Sequence, residues 1–227
     1  MKTIKQQSLL IDQDNQTIML HDLTQQKNSY NLGITVSAHC SVTLNETVDS
    51  VNHDAVQTLE LCAHEKSTIT YVCRLKSLAD KFSLQKHIKA RMLGPNAKIS
   101  IFVYSHGKAD QAITFTIEQE HTTDTCSSNV TVKTLLEDNA TIDCSGIIKV
   151  APQTKGNCAT LTIKTIMLSD TASASTKPQL EILSDDVSCK HGATFESINP
   201  VALFYLQSRG IPCHSAQNML LKAFLNK

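Results

Sequence analysis

From Gly33 onward the chain places apolar side chains at every second position, with Thr, Ser or a charged residue between them. Ile34-Thr-Val36, Val42-Thr-Leu44, Leu59-Glu-Leu61 and Ile69-Thr-Tyr-Val72 open the series. Ile99, Ile101 and Val103 share one side of a further strand, and Ile113, Phe115 and Ile117 repeat the pattern. Residues 130–136, 141–144, 147–150 and 161–168 continue it. A period of two turns one face of each strand toward a core. About eleven short strands follow from this reading, and a sandwich, a barrel or a β-solenoid would accommodate them. The chain contains no Asn-Gly or Asp-Gly, the dipeptides that tight antiparallel hairpins favour. Their absence leans toward a solenoid, whose coils turn through longer polar corners, although no clean fixed-period repeat accompanies it.

Two stretches fit the alternation poorly. Residues 1–30 are polar and rich in Gln and Asn; they are expected to be loosely ordered apart from a short strand over 17–20. Leu75, Leu78 and Phe82 have helical spacing, so a single helix is expected within 74–95, ended by Gly94-Pro95.

The character changes near residue 199. Asn199 is a good N-cap, Pro200 suits the first helical position, and Gly210 supplies a left-handed stop. A second helix is expected from near Ser215, with Ala216, Met219, Leu220, Ala223 and Phe224 on one stripe. The first helix is apolar on most sides, from Val201 through Leu206, and so requires a cover. Packing on the β body is the default, and a partner chain is the sharper alternative. The chain thus divides into a β core, residues 1–198, and a C-terminal helical region, residues 199–227.

Composition narrows the function. The 227 residues carry a formal charge of zero with acids and bases interspersed, so nothing marks a nucleic-acid partner. No stretch approaches the roughly 20 apolar residues of a membrane helix. No apolar run of signal-peptide length follows the lysines of residues 1–7, so a cytoplasmic location is expected. The eight cysteines form no C-x-x-C pair; in a reducing compartment they are expected as free thiols, most of them buried as small hydrophobes.

Cys189 and His191 stand two apart at the end of an expected strand, with a small-residue turn after them. Residues i and i+2 of a strand face the same way, so thiolate and imidazole point into one space. That pair suits iron, zinc or thiol chemistry, but two ligands do not complete a site. Any metal needs further ligands from elsewhere in the chain or from a second chain. Asp185 and Asp186 read as a solvated turn. His121 reads as a surface or half-buried histidine, and His39-Cys40, Cys62 with His64, and Cys213-His214 have no supporting context. There is no P-loop, G-x-S-x-G or G-x-G-x-x-G, which argues against an ATPase or a dinucleotide enzyme. A carbohydrate-active β-helix enzyme would want a repeated acidic pair, and none is present.

Three segments together resemble the SufB/SufD family, scaffold subunits of the SUF iron–sulfur cluster assembly machinery. They are Pro178-Gln-Leu-Glu-Ile182, Asp185-Asp-Val-Ser-Cys-Lys-His-Gly-Ala-Thr194 and Leu203-Phe-Tyr-Leu-Gln-Ser-Arg-Gly-Ile211. Ala216, Met219-Leu220-Leu221 and Ala223-Phe224 continue the match in register. Arg91-Met-Leu-Gly94 with Ala97, and His121 with Ser127 or Ser128, look familial further upstream. The resemblance covers residues 86–226 and implies an all-β fold, a right-handed parallel β-helix, followed by a small helical region. It implies a non-enzymatic scaffold that pairs with a SufB-like subunit, or with its own copy, and docks a SufC-type ATPase. The docking residues it implies are Phe204, Tyr205, Arg209, Met219, Leu220 and Phe224. A transient iron–sulfur cluster would form at the subunit interface, with Cys189 and His191 on this chain's side; flavin binding is left undecided. Lys190 and Gly192 stand where SufB-like members place carboxylates, so the chain looks closer to SufD. It is shorter than a typical member and is expected to lack the family's long helical N-terminal region.

Overall fold

The computed structural model describes residues 7–20, 29–49, 54–76 and 79–225. Its strands fall into two interleaved sets. One sheet holds β1 (Gln7–Ile11), β3 (Tyr30–Val36), β5 (Ala55–Ala63), β7 (Ser83–Met92), β9 (Ala112–His121), β11 (Thr141–Val150) and β13 (Ser173–Ile182). The other holds β2 (Gln16–Met19), β4 (Ser41–Val48), β6 (Thr68–Leu75), β8 (Lys98–Gly107), β10 (Ser127–Leu136), β12 (Asn157–Met167) and β14 (Val187–Glu196). Each strand pairs in parallel with the next strand but one, as Val130 does with Ile101 on one side and Leu161 on the other. The result is a β-solenoid in which successive strands climb opposite walls of one lumen. Two helices follow, α1 (Pro200–Ser208) and α2 (Cys213–Leu225).

The corners explain why no hairpin dipeptide is needed. His39, Lys66, Asn96, Thr125 and Gly156 repeat one left-handed conformation, with φ of 61, 53, 60, 57 and 67°. The N–H of each donates to a carbonyl of the next corner: Glu65, Pro95, Asp124, Lys155 and Asp186, at 2.8–3.3 Å. The bent backbone is therefore paired between coils rather than within a hairpin, as buried polar backbone requires. Close stacking demands Gly94, where a Cβ would lie 2.3 Å from the Glu65 backbone nitrogen.

The alternation translates into burial. Ile34, Leu44, Leu61, Ile69, Ile101, Phe115, Val130, Ile142 and Leu161 all lie in one continuous core inside the lumen. One lumen layer is charged. Lys86 Nζ donates to Tyr30 Oη at 2.6 Å, Gln57 Oε1 at 2.8 Å and both Glu46 oxygens at 2.9 and 3.0 Å. The Tyr30 hydroxyl donates to Glu46 at 2.7 Å, and Tyr71 donates to its other oxygen. All five residues are buried. Burial pushes the Glu46 carboxyl up, but Lys86 and the donated hydrogen bonds outweigh it and hold it low. Burial pushes Lys86 down, and the Glu46 charge more than reverses that.

This layer corrects one expectation. Residues 83–92 form β7, not a helix, while Leu78 lies outside the described residues. Lys86 is an inward position of β7, so the alternation is hidden by a charge that only Glu46 makes acceptable inside. Three smaller corrections follow. Residues 141–150 form the single strand β11; Gly146 breaks its apolar pattern because Leu161 fills the space a Cβ would take. Within 1–30, β1 and β2 form a first coil; residues 1–6 and 21–28 lie outside the described residues. His121 is buried, not at the surface.

All eight cysteines are free, but burial holds for half: Cys40, Cys73, Cys126 and Cys144. Burial pushes Cys73 up to about 11 and Cys144 up to about 12, so both remain protonated thiols. Among the described residues no helix is long and apolar enough to cross a membrane.

Candidate functional site: the last coil and the helical arm

β14 does not end at the Cys-Lys-His segment; it runs on through Gly192-Ala-Thr to Glu196. Cys189 pairs in register with Ala159, and His191 with Leu161. Ala159 and Leu161 are lumen residues, so Cys189 and His191 also face inward, as their spacing of two predicts. They are the last layer, with no described strand beyond them. Cys189 is therefore only half-buried and His191 is exposed. Burial, followed by the neighbouring Cys158, raises the Cys189 thiol, and a hydrogen bond from the Ala159 backbone only partly opposes this. Ligation must displace that proton, because only the thiolate binds metal.

The surroundings of the pair are unfinished. β13 and β14 end their sheets, so each carries an edge with no partner strand among the described residues. Leu180 and Phe195 occupy inward positions, in register with Ile148 and Thr165, yet they are 40% and 51% exposed. Leu183 beside them is 60% exposed. A Cβ at Gly192 would meet nothing within 4 Å. Free edges next to exposed apolar side chains are template surfaces for another chain. No group of three or more His, Cys, Asp or Glu able to hold a metal occurs among the described residues. Cys189 and His191 face this end, with the exposed thiol of Cys158 beside Cys189.

The helical arm is anchored by one helix and displays the other. Asn199 caps α1, its side-chain oxygen accepting from the N–H groups of Val201 and Ala202 at 2.9 and 3.1 Å. Gly210 closes it with φ +82°. α1 has no buried residue; Val201, Phe204 and Tyr205 are 75%, 71% and 56% exposed. The default expectation that this apolar helix packs on the β body is thus overturned. α1 packs chiefly on α2, and α2 is the helix that contacts β10.

α2 buries Ala216 and half-buries Leu220 and Phe224, while Met219 is 50% exposed. Lys133 of β10 donates to the Phe224 carbonyl at 2.9 Å, with its ammonium 5.5 Å from the Phe224 ring and 5.9 Å from the Tyr104 ring. A cation at a helix C-terminus is favoured by the helix dipole. Arg209 lies over Tyr205, 5.3 Å from its ring. Of the six expected docking residues, Phe204, Tyr205, Arg209 and Met219 are therefore exposed, whereas Leu220 and Phe224 are half-buried.

The seat for α2 was missed in the sequence, although a signal exists. Leu135 and Ile166 are apolar at outward positions, where the strand period calls for polar residues. Both are buried but lie outside the lumen core.

A parallel β-solenoid that ends in an open coil with a cysteine–histidine pair also carries a partly docked helical arm, and so presents two exposed surfaces. The model of the family described as SUF system FeS cluster assembly, SufBD core domain, matches residues 77–224, more than half of the chain, and the chain belongs to that family. It is 39% identical over 105 residues to the iron–sulfur cluster assembly protein SufD of Escherichia coli, covering 46% of this chain and 25% of that protein. It is 29% identical over 119 residues to SufD of Bacillus subtilis, covering 52% and 27%. It is 25% identical over 162 residues to a SufBD family protein of Staphylococcus epidermidis, covering 71% and 34%. The matches thus span a quarter to a third of each relative's length, and the likeness is closer to SufD.

Proposed function

We propose that this chain is a non-enzymatic scaffold subunit of SUF-type iron–sulfur cluster assembly. The observation that carries the reading is the last coil, where Cys189 and His191 face an uncovered lumen end flanked by two free strand edges and exposed Leu180 and Phe195. A SufB/SufD-like subunit pairing along β13 and β14 covers those apolar side chains and contributes the remaining ligands. Soft thiolate with imidazole suits iron–sulfur cargo. The cluster is cargo held between subunits, and no complete site is expected on one chain. The exposed face of α1, with Phe204, Tyr205 and Arg209, docks a SufC-type ATPase. α2 holds that face at a set position on the solenoid through Lys133.

The test is anaerobic co-expression with a SufB-like subunit and a SufC-type ATPase, reading visible absorption of the purified complex. His191→Ala and Cys189→Ser should each lower cluster yield at least several-fold, with the far-UV circular dichroism unchanged. Full yield from both variants sinks the ligand role. If the complex still forms in that case, the chain is a structural, ATPase-docking subunit.

A further inference from the structure

The floor beneath the open coil is one leucine, and a glycine on the opposite wall sets where that leucine lies. Leu161 of β12 is in register with His191, faces the lumen and is fully buried. Across the lumen from it is Gly146 of β11. A Cβ built on Gly146 would lie 2.5 Å from Leu161 Cδ2, 3.2 Å from its Cδ1 and 3.5 Å from its Cγ. Leu161 thus extends across the lumen, and its branched end takes the place of a side chain on β11.

Filling the lumen does not require this arrangement. In the preceding coil, the register neighbours of Gly146 and Leu161 are Ile117 and Val130, both fully buried. There each wall contributes a side chain of medium size, whereas in the Gly146 layer β12 supplies the filling for both walls. At Gly107, an inward glycine of β8, the nearest side-chain atom stays 3.1 Å from the Cβ position, so that glycine's own space is not taken in the same way.

The neighbours of Leu161 decide where it would go if that space were closed. Toward the preceding coil lie Ile117 and Val130, both 0% exposed. Along the two walls lie Cys144, Ile148, Ala159 and Ile163, all buried. A close-packed interior resists even one added methyl group. Toward the solenoid end, the register neighbours are Pro178, half-buried, and His191, exposed. The end of a leucine side chain changes rotamer more readily than packed backbone shifts, so a displaced Leu161 turns to the open side and presses on the His191 layer.

We propose that Gly146 is a positioning residue for His191: by drawing Leu161 across the lumen, it keeps the leucine from crowding the imidazole. Gly146 acts through Leu161 and touches no ligand itself. The inference rests on the proposed ligand role of His191 only for its functional consequence. A ligand side chain must be held within about 0.5 Å of its working position, and a leucine pressed up from below displaces it. The packing relation itself needs no cluster and no partner.

The experiment is carbethoxylation of the isolated chain by diethyl pyrocarbonate, with rates read by peptide mass mapping. Exposed His214, on the helical arm, is the internal reference for His191. Gly146→Ala should slow His191 several-fold relative to His214, with the far-UV circular dichroism unchanged. Gly146→Ala combined with Leu161→Val moves one methyl-sized group from β12 to β11 and should restore the parental ratio. Leu161→Ile keeps the volume but branches at Cβ, which places a methyl nearer its own wall beneath His191. It should also slow His191, and it carries the test if Gly146→Ala does not fold. An unchanged ratio in the folded variants, or a slowing by Gly146→Ala that Leu161→Val does not reverse, overturns the proposal. In the co-expressed complex, cluster yield should follow the His191 ratio through the same series. A full yield alongside a slowed His191 upholds the positioning role and counts against the ligand role instead.

Discussion

Replacing Lys86 by Met should show that the charged lumen layer pins five strands together. Tyr30, Glu46, Gln57, Tyr71 and Lys86 come from β3, β4, β5, β6 and β7, so one ammonium ion ties both walls over consecutive coils. Met keeps most of the volume but leaves Glu46 ionised in a dry lumen. Breaking a buried pair in this way costs about 3–5 kcal/mol, because the remaining charge is uncompensated. With a urea dependence of about 3 kcal/mol per molar, a loss of about 4 kcal/mol lowers the unfolding midpoint by about 1.3 M. Urea titration followed by far-UV circular dichroism measures this directly. Adding Glu46→Gln removes the stranded charge while keeping an acceptor for Tyr30 or Tyr71, and should recover about half of the loss.

The pH dependence supplies a second reading of the same variant. In the parent chain, Glu46 is held low, so its contribution is present above about pH 4.3 and is lost as the pH falls toward its folded value. Lys86 is held high, so its contribution is present below about pH 10.4 and is lost as the pH rises beyond it. In Lys86→Met, burial is opposed only by the hydrogen bonds from Tyr30 and Tyr71, and it should raise Glu46 above its unfolded value. The folded variant then binds the extra proton, and its deficit should shrink between pH 8 and pH 5. A midpoint lowered by less than 0.3 M, on the order of 1 kcal/mol, or a double variant no better than the single one, refutes the reasoning.

Gly94→Ala should lose about 1–3 kcal/mol in the same titration, since its methyl group would press on the Glu65 backbone, which cannot rotate aside. Thr125→Gly should gain about 0.5–1 kcal/mol, because a β-branched residue at φ 57° is strained and the corner hydrogen bond from its N–H is unaffected. Phe204→Glu should leave the isolated chain within about 0.5 kcal/mol of the parent, as its side chain is exposed. It should nonetheless abolish co-purification with a SufC-type ATPase, and retention of the ATPase would move the docking face off α1.

Much of the solenoid was legible because its walls obey one local rule. Ile99, Ile101 and Val103 alternate because β8 has one face in the lumen, and nothing distant is needed to read that. The helix boundaries were readable for a similar reason: Asn199, Pro200 and Gly210 act on neighbouring backbone groups. β7 was not readable. Its inward lysine is acceptable only because Glu46, forty residues earlier, stands across the lumen. The same holds for His121, whose burial depends on Ser128 and on Asn157 from a later coil.

For the candidate site, the sequence alone determined that Cys189 and His191 share a face, since strand period decides that within three residues. It also determined an apolar α1 that something must cover. Only the tertiary structure decided that the shared face is the last, uncovered layer of the lumen, and that α2 rather than α1 takes the seat on β10. Those outcomes depend on which strand comes last and on whether Lys133, Leu135 and Ile166 converge beneath one helix. Side-chain direction is a local property of the backbone. Exposure is set by what the rest of the chain places alongside.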